Sequence, residues 1–396
     1  MRRRLGLAGL LAAACRSAWS APGQPGAAGP VAVVGKDAIR RGRSLVFPAD
    51  HGAHPGAQTE WWYLTGALHA ADTAAADAAP DWGFQITFFR SRTGLAADLP
   101  GRLAPRQILF AHAALTVLGT SDGGGRPASH RHDQRLARWN GVDPTPRAHA
   151  GLADTELELA EWRLHRDPAD GSYLAQACGP DFSLDLRLRP TQPLLLQGDS
   201  GFSRKGPLES QASLYYSQPQ LAVDGRIGFE ARGPAQRAQA LQAVRGSCWL
   251  DHEWSDSLLA PNAEGWDWIG FNLFDGASLT AFRVRGATGA APVWSGGSYR
   301  PAGGAVQVFG PGTVHFAPGR RWRSPATGAS YPLVWQLDTP AGRHTVRALL
   351  DAQELDGRGA TGSVYWEGLA ELLDAGGRRV GLGYLELTGY AGRLDL

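Results

Sequence analysis

Glu60-Trp61-Trp62-Tyr63-Leu64-Thr65-Gly66 and Glu264-Gly265-Trp266-Asp267-Trp268-Ile269-Gly270 read as two copies of one strand, and they decide the fold. Each is followed by a second apolar-aromatic run that ends in arginine, Phe84-Gln85-Ile86-Thr87-Phe88-Phe89-Arg90 and Leu279-Thr280-Ala281-Phe282-Arg283. Tryptophan has the largest apolar side chain, and this density needs a core or a ligand to cover it. The copies lie roughly 200 residues apart, far beyond a solenoid period, so two similar domains in tandem are expected.

The remaining sequence reads as all-β. Leu184-Asp185-Leu186-Arg187-Leu188-Arg189 alternates strictly, as do Leu157-Glu158-Leu159 and Tyr384-Leu385-Glu386-Leu387. Asp-Gly recurs at Asp122, Asp170, Asp224, Asp275 and Asp356, a dipeptide suited to tight hairpin turns. Leu221-Ala222-Val223 and Ile227-Gly228-Phe229-Glu230 flank one of them as a hairpin. Strands joined mainly by hairpins favour barrels or sandwiches. The expected organisation is a signal peptide over 1–20, a Gly/Pro/Ala-rich linker over 21–40, one barrel over 41–235 and a second over 236–396, divided near Gly233-Pro234.

Composition narrows the function. A net charge of +2, with only 19% charged residues, gives no case for nucleic acid. All but two of the 39 basic residues are arginine, so arginine clusters carry little information. Lys205, in Phe202-Ser203-Arg204-Lys205-Gly206, stands out because an ammonium is not interchangeable with a guanidinium. At the start, Arg2-Arg3-Arg4 and the apolar stretch Leu5 to Ala14 resemble an export signal, with cleavage before Ala21. Ala12-Ala13-Ala14-Cys15 also resembles a lipoprotein box. A periplasmic or secreted protein is expected, where Cys178 and Cys248 either pair or stay buried as thiols.

Candidate chemistry concentrates in Trp249-Leu250-Asp251-His252-Glu253-Trp254 and Trp266-Asp267-Trp268. Alternation puts Asp267 on one face with Ile269 and Phe271, and His252 with Leu250 and Trp254. A carboxylate on an apolar face either finds a partner or stays protonated. Asp267 is therefore a general acid coupled to His252, or half of a buried ion pair. Glu367 and Glu386 also sit between aromatics and read as outward residues or arginine partners. His51, His54 and Glu60 have a metal-like spacing, but loop histidines more often cap turns, and no metal is expected.

Several of these motifs together resemble the AttH family, a relative of carotenoid 1,2-hydratase (hydroxyneurosporene synthase). They are Phe47-Pro48-Ala49-Asp50-His51-Gly52-Ala53-His54, Thr59 to Tyr63, Gly83-Phe84-Gln85, Phe88-Phe89-Arg90, Ser203 to Gly206, Tyr215-Tyr216-Ser217, Trp249 to Trp254, Gly265 to Trp268, Tyr365 to Gly368 and Gly383 to Tyr390. The resemblance implies two tandem lipocalin-like antiparallel β-barrels and an apolar ligand such as a carotenoid, polyisoprenoid or lipid. It also implies hydro-lyase chemistry, water added to a C=C bond with no cofactor. Asp267, His252 and Trp254 fall in the segment holding the hydratase site, although Gly265 stands where the hydratases have tyrosine. Trp61, Trp62, Trp266, Trp268, Phe271 and Lys205 are the expected ligand-binding residues. The alternative is a non-catalytic carrier that hands a lipid to an envelope ABC transporter.

Overall fold

The computed structural model describes residues 38–73, 77–95, 104–119, 127–139, 147–229, 240–257, 259–287, 290–358 and 362–393. The expected signal peptide, Cys15 and most of the expected linker lie outside the described residues. Two large antiparallel sheets follow in chain order.

The first contains β1 (Thr59–Ala70), β2 (Trp82–Arg92), β3 (Gln107–Val117), β4 (Ser129–Trp139), β5 (Ala148–Ala150), β6 (Glu156–Leu159), β7 (Trp162–Arg166), β8 (Tyr173–Cys178) and β9 (Phe182–Arg189). It continues with β10 (Leu195–Leu196), β11 (Phe202–Arg204), β12 (Ala212–Phe229) and β13 (Ala240–Ser255). Its order is β4-β3-β2-β1-β13-β12-β9-β8-β7-β6-β5, with β10 and β11 paired to β12. The two ends return beside each other, where Trp139 stands edge-on to His149 at 6.4 Å. The barrel is thus nearly closed.

The second sheet forms a half-barrel from β14 (Gly265–Leu273), β15 (Ser278–Arg285), β16 (Trp294–Arg300), β17 (Gln307–Phe309) and β18 (His315–Pro318). A small separate ribbon, β19 (Arg321–Arg323) with β20 (Ser330–Pro332), intervenes. Then come β21 (Val334–Thr339), β22 (Gly342–Ala348), β23 (Glu354–Gly357), β24 (Ser363–Leu373) and β25 (Arg379–Leu387). The order is β17-β16-β15-β14-β25-β24-β22-β21-β18, with β23 on β24. The two tryptophan strands are topologically equivalent. Each lies between its own hairpin partner (β2 or β15) and the last strand of its barrel (β13 or β25).

Two expectations need correction. Strand β13 belongs to the first sheet, so the change of sheet falls between Ser255 and Gly265 rather than near Gly233-Pro234. Asp224-Gly225 is not a turn but lies inside the long strand β12. Gly225 is there because a Cβ would lie 2.2 Å from the Asp185 carbonyl oxygen of the neighbouring strand. Cys178 and Cys248 are both free.

Among the described residues, strand alternation gives three main cores and a small cluster of Ala114, Leu355 and Tyr365. One fills each barrel, the first including Trp62, Trp162 and Trp254, the second Phe271, Trp335 and Trp366. The third lies between the sheets and includes Tyr63, Trp249, Trp268, Phe282, Leu369 and Tyr384. Each large apolar side chain so covered contributes about 1.5–3 kcal/mol. Direct bonds cross the third core, among them Asn272 Nδ2 to the Cys248 carbonyl at 3.0 Å and Ser298 Oγ to Gln197 Oε1 at 2.8 Å.

Candidate functional site

The third core is incomplete, and its gap is a cavity between the barrels. The space between its walls, open mouth included, is about 1080 Å³. Strand parity decides which residues reach it. On β1, Trp61 and Tyr63 face the cavity, whereas Trp62 points into the first barrel. On β13, Asp251 and Glu253 face the cavity, whereas His252 and Trp254 point inward. On β14, Trp266 and Trp268 face it, whereas Phe271 packs in the second barrel's core.

Two rows of side chains confront each other. Across the first sheet, Asp251, Tyr63, Thr87 and His112 occupy one register on β13, β1, β2 and β3. Across the second, Phe282, Trp268, Glu386 and Glu367 do the same on β15, β14, β25 and β24. The rows are tied by His112 Nδ1, which shares a hydrogen bond with the Tyr365 hydroxyl at 2.6 Å, and by Trp268 Nε1 donating to the Tyr215 hydroxyl at 3.3 Å.

Four carboxyls reach this largely aromatic space, Asp251, Glu253, Glu367 and Glu386. Burial drives Glu367 well above the usual carboxyl range, and the charge of Glu386 pushes the same way. Glu386 is open to the cavity on one side. Burial pushes it up to about 8, with Asp251 and Glu253 adding to the effect and the hydrogen bond from Trp266 Nε1 (3.1 Å) opposing it. Asp251 is pushed up to about 7 by burial, against hydrogen bonds from Ser217 (2.5 Å), Tyr215 (2.6 Å) and Trp249 (2.6 Å). Glu253 is paired with Lys205 Nζ at 2.9 Å, whose ammonium lies 4.3 Å over the Phe282 ring and 4.7 Å over Tyr215. At neutral pH the cavity therefore holds protonated carboxyls beside one near its midpoint, an arrangement able to donate and accept protons away from bulk water.

The expected catalytic residues are elsewhere. Asp267 is fully buried inside the second barrel. It accepts from Arg283 Nε at 2.6 Å and from the Tyr390 hydroxyl at 2.8 Å, with Arg285 Nε at 3.4 Å. The ion-pair reading of Asp267 holds, and Asp267 and His252 share no cavity, because a strand sends residues of opposite parity to opposite faces. His252 lies inside the first barrel, 2.9 Å from Glu60 Oε1 and stacked on Trp62 at 4.5 Å. Trp254 stacks on His54 at 3.7 Å. Of the expected ligand-binding residues, Trp61, Trp266, Trp268 and Lys205 line the cavity; Trp62 and Phe271 do not. Glu367 and Glu386, read as outward or arginine-paired, instead face the enclosed space.

His54, Glu60 and His252 bring three ligand atoms together and are the one such cluster among the described residues. Their donors are already spent on one another. Glu60 Oε1 meets His54 Nδ1 at 2.7 Å and His252 Nε2, while Oε2 accepts from Arg90 Nε at 2.7 Å. Burial works to raise Glu60, but His54, Arg90 and the bond from His252 outweigh it and hold the carboxyl well below its usual range. Burial lowers His252 to about 4. The Arg90 guanidinium supplies the countercharge a metal ion would otherwise provide, so the cluster is a closed hydrogen-bond network that locks β1 to β2 and β13.

A double barrel of lipocalin type, with an acid-bearing cavity between its halves, defines the class of protein. The AttH-like family model matches residues 38–390, and the chain belongs to that family. An AttH structure from Nitrosomonas europaea is 41% identical, covering 89% of this chain and 99% of that one, with a TM-score of 0.75. Kievitone hydratase from Nectria haematococca shares the fold at 13% identity, covering 90% of this chain and 95% of that one, with a TM-score of 0.61. No curated protein matches the chain in sequence.

Proposed function

We propose that the protein binds an apolar, polyisoprenoid-like molecule between its barrels and adds water across one of its C=C bonds. The observation that carries this reading is the cross-strand pair Glu367 and Glu386, two carboxyls kept protonated inside an aromatic cavity. Hydrating an isolated alkene requires a proton on carbon, hence an acid that remains protonated at neutral pH. Glu386 supplies it: its O–H bond breaks, a C–H bond forms, and the more substituted carbon becomes a cation. An indole face of Trp266 or Trp268 stabilises that cation by about 2 kcal/mol when desolvated. Water then forms the C–O bond and loses its extra proton to the Asp251 carboxylate; Asp251 releases that proton to solvent, and solvent returns one to Glu386. The scheme uses no cofactor. The fold shared with a hydratase supports it only as architecture.

The basic and apolar N-terminal stretch supports export as part of the same proposal. The test is mass spectrometry of copurifying lipids, followed by hydration assays with lycopene or neurosporene. Glu386→Gln keeps the shape and loses the transferable proton. Hydration is expected to fall at least ~100-fold while ligand binding persists. An unimpaired Glu386→Gln enzyme would overturn the role of Glu386. Wild-type protein that binds a polyene but hydrates none would leave the carrier for an envelope transporter as the better reading.

A further inference from the structure

Besides Glu253 Oε1, which is ion-paired with Lys205, three polar atoms in the wall of the cavity have no well-formed hydrogen bond among the described residues: Tyr63 Oη, His112 Nε2 and Glu367 Oε1. All three side chains are more than nine-tenths buried. They also belong together. Tyr63 and His112 stand in one cross-strand row with Thr87 between them, and Tyr365, bonded to His112, shares its face of β24 with Glu367. The Tyr63 hydroxyl and the Glu367 carboxyl lie close enough to act on each other, but neither Tyr63 Oη nor Glu367 Oε1 completes a well-formed hydrogen bond, and His112 Nε2 has no partner at all among the described residues. Because His112 Nδ1 is engaged by Tyr365, its Nε2 is left with one bond to make in either tautomer. Burying a polar group without a good hydrogen bond is costly, so this cluster is a standing demand for a ligand oxygen.

The charge of the cluster selects the kind of oxygen. Burial raises the Tyr63 hydroxyl well above its usual range and lowers His112 to about 4, and Glu367 stays protonated, so all three are neutral near pH 7. The one lysine of the cavity is already paired with Glu253. No free cation is left there among the described residues to receive a carboxylate or a phosphate.

We propose that Tyr63, His112 and Glu367 form a recognition site for a neutral oxygen group, an alcohol or carbonyl, on an otherwise apolar ligand, and that this protein discriminates against anionic lipids. The inference rests on the ligand-binding part of the function proposed above. It also fits the proposed chemistry, since water addition yields an alcohol.

The test is a series with one tail and four heads: farnesene, farnesol, farnesoic acid and farnesyl phosphate, titrated against the full chain at neutral pH. Farnesol is expected to bind at least ~10-fold tighter than either anion and than the hydrocarbon. His112→Phe and, separately, Tyr63→Phe should each reduce farnesol affinity several-fold and leave farnesene affinity unchanged, which also reports that the variants are folded. Equal or tighter binding of an anion would overturn this inference alone, as would equal binding of farnesene and farnesol. A variant that weakens farnesene as much as farnesol would show that the cluster shapes the cavity rather than reading the head group. Failure of every compound to bind would instead overturn the apolar-ligand reading on which the inference stands.

Discussion

Glu60 and Asp267 occupy the same place in the two barrels. Each is a buried carboxylate on the tryptophan strand, and each accepts the Nε–H of the arginine directly opposite on the following strand, Arg90 at 2.7 Å and Arg283 at 2.6 Å. The internal repeat therefore extends beyond the aromatic residues to an acid–arginine lock. Burying such a pair adds little net stability over a well-packed apolar pair, but removing one partner strands a charge in the core.

Asp267→Asn should accordingly lower stability by about 3–5 kcal/mol, because Arg283 and Arg285 would face a neutral amide. The measurement is urea unfolding of the variant beside wild type. Protein that remains folded should keep ligand binding, since Asp267 does not reach the cavity. Unchanged stability with a selective loss of hydration would contradict the locking role. Replacing both partners, Asp267→Leu with Arg283→Met, should recover much of the loss.

The sequence was legible in its architecture for a simple reason. The repeated Glu-Trp-Trp-Tyr and Trp-Asp-Trp motifs and the alternating strands are local patterns, and a β-barrel is built from nearest-neighbour hairpins. The site was less legible because parity alone does not say which face of a strand meets a second sheet. Alternation puts His252 and Trp254 on one face of β13, but that face closes on Glu60, and the opposite face, with Asp251 and Glu253, opens on the cavity. Glu367 and Glu386 were visible as acids between aromatics. What converts them from surface residues into cavity acids is the packing of one barrel on the other, a contact between segments some 250 residues apart such as His112 and Tyr365. The mid-strand Gly225 misled for a related reason, because its glycine answers to a neighbouring strand and not to a turn.

Stability should pass through a maximum near pH 6.5. Below it, the buried histidines dominate: burial lowers His252 and His112 to about 4, and His51 and His130 to about 3, from 6.5. The unfolded chain then binds more protons than the folded one, so stability is lost as pH falls from about 6.5. Above it, the raised acids dominate. Glu386 titrates near 8 when folded and from 4.5 when unfolded, so the folded state holds the extra proton and stability falls as pH rises toward 8. Each such group contributes at most roughly 1.4 kcal/mol per pH unit. Thermal unfolding across pH 5 to 9 checks this. Glu386→Gln should flatten the slope above pH 6.5 and steepen the loss on the acid side, because the extra proton on folded Glu386 opposes the histidines between about pH 4.5 and 6.5; an identical profile in the variant would mean that Glu386 is ionised throughout.

Trp266→Phe should move the working range of the site rather than abolish it. Trp266 Nε1 donates to Glu386 Oε1 at 3.1 Å, and this bond favours the carboxylate, opposing the upward push of burial and of Asp251 and Glu253. Phenylalanine keeps an aromatic wall and removes the donor, so the pKa of Glu386 should rise further above 8. The acid needed for protonating carbon would then persist to higher pH, and the alkaline limb of the pH–rate profile should shift upward. A shift of one unit corresponds to about 1.4 kcal/mol, within the range for a hydrogen bond to a charged group. Infrared absorption of the protonated carboxyl, followed through the same titration, reads the proton directly and is independent of turnover. A limb that moves downward, or a carboxyl band that vanishes at the same pH as in wild type, would show that Trp266 does not tune this acid and that another group sets the limb.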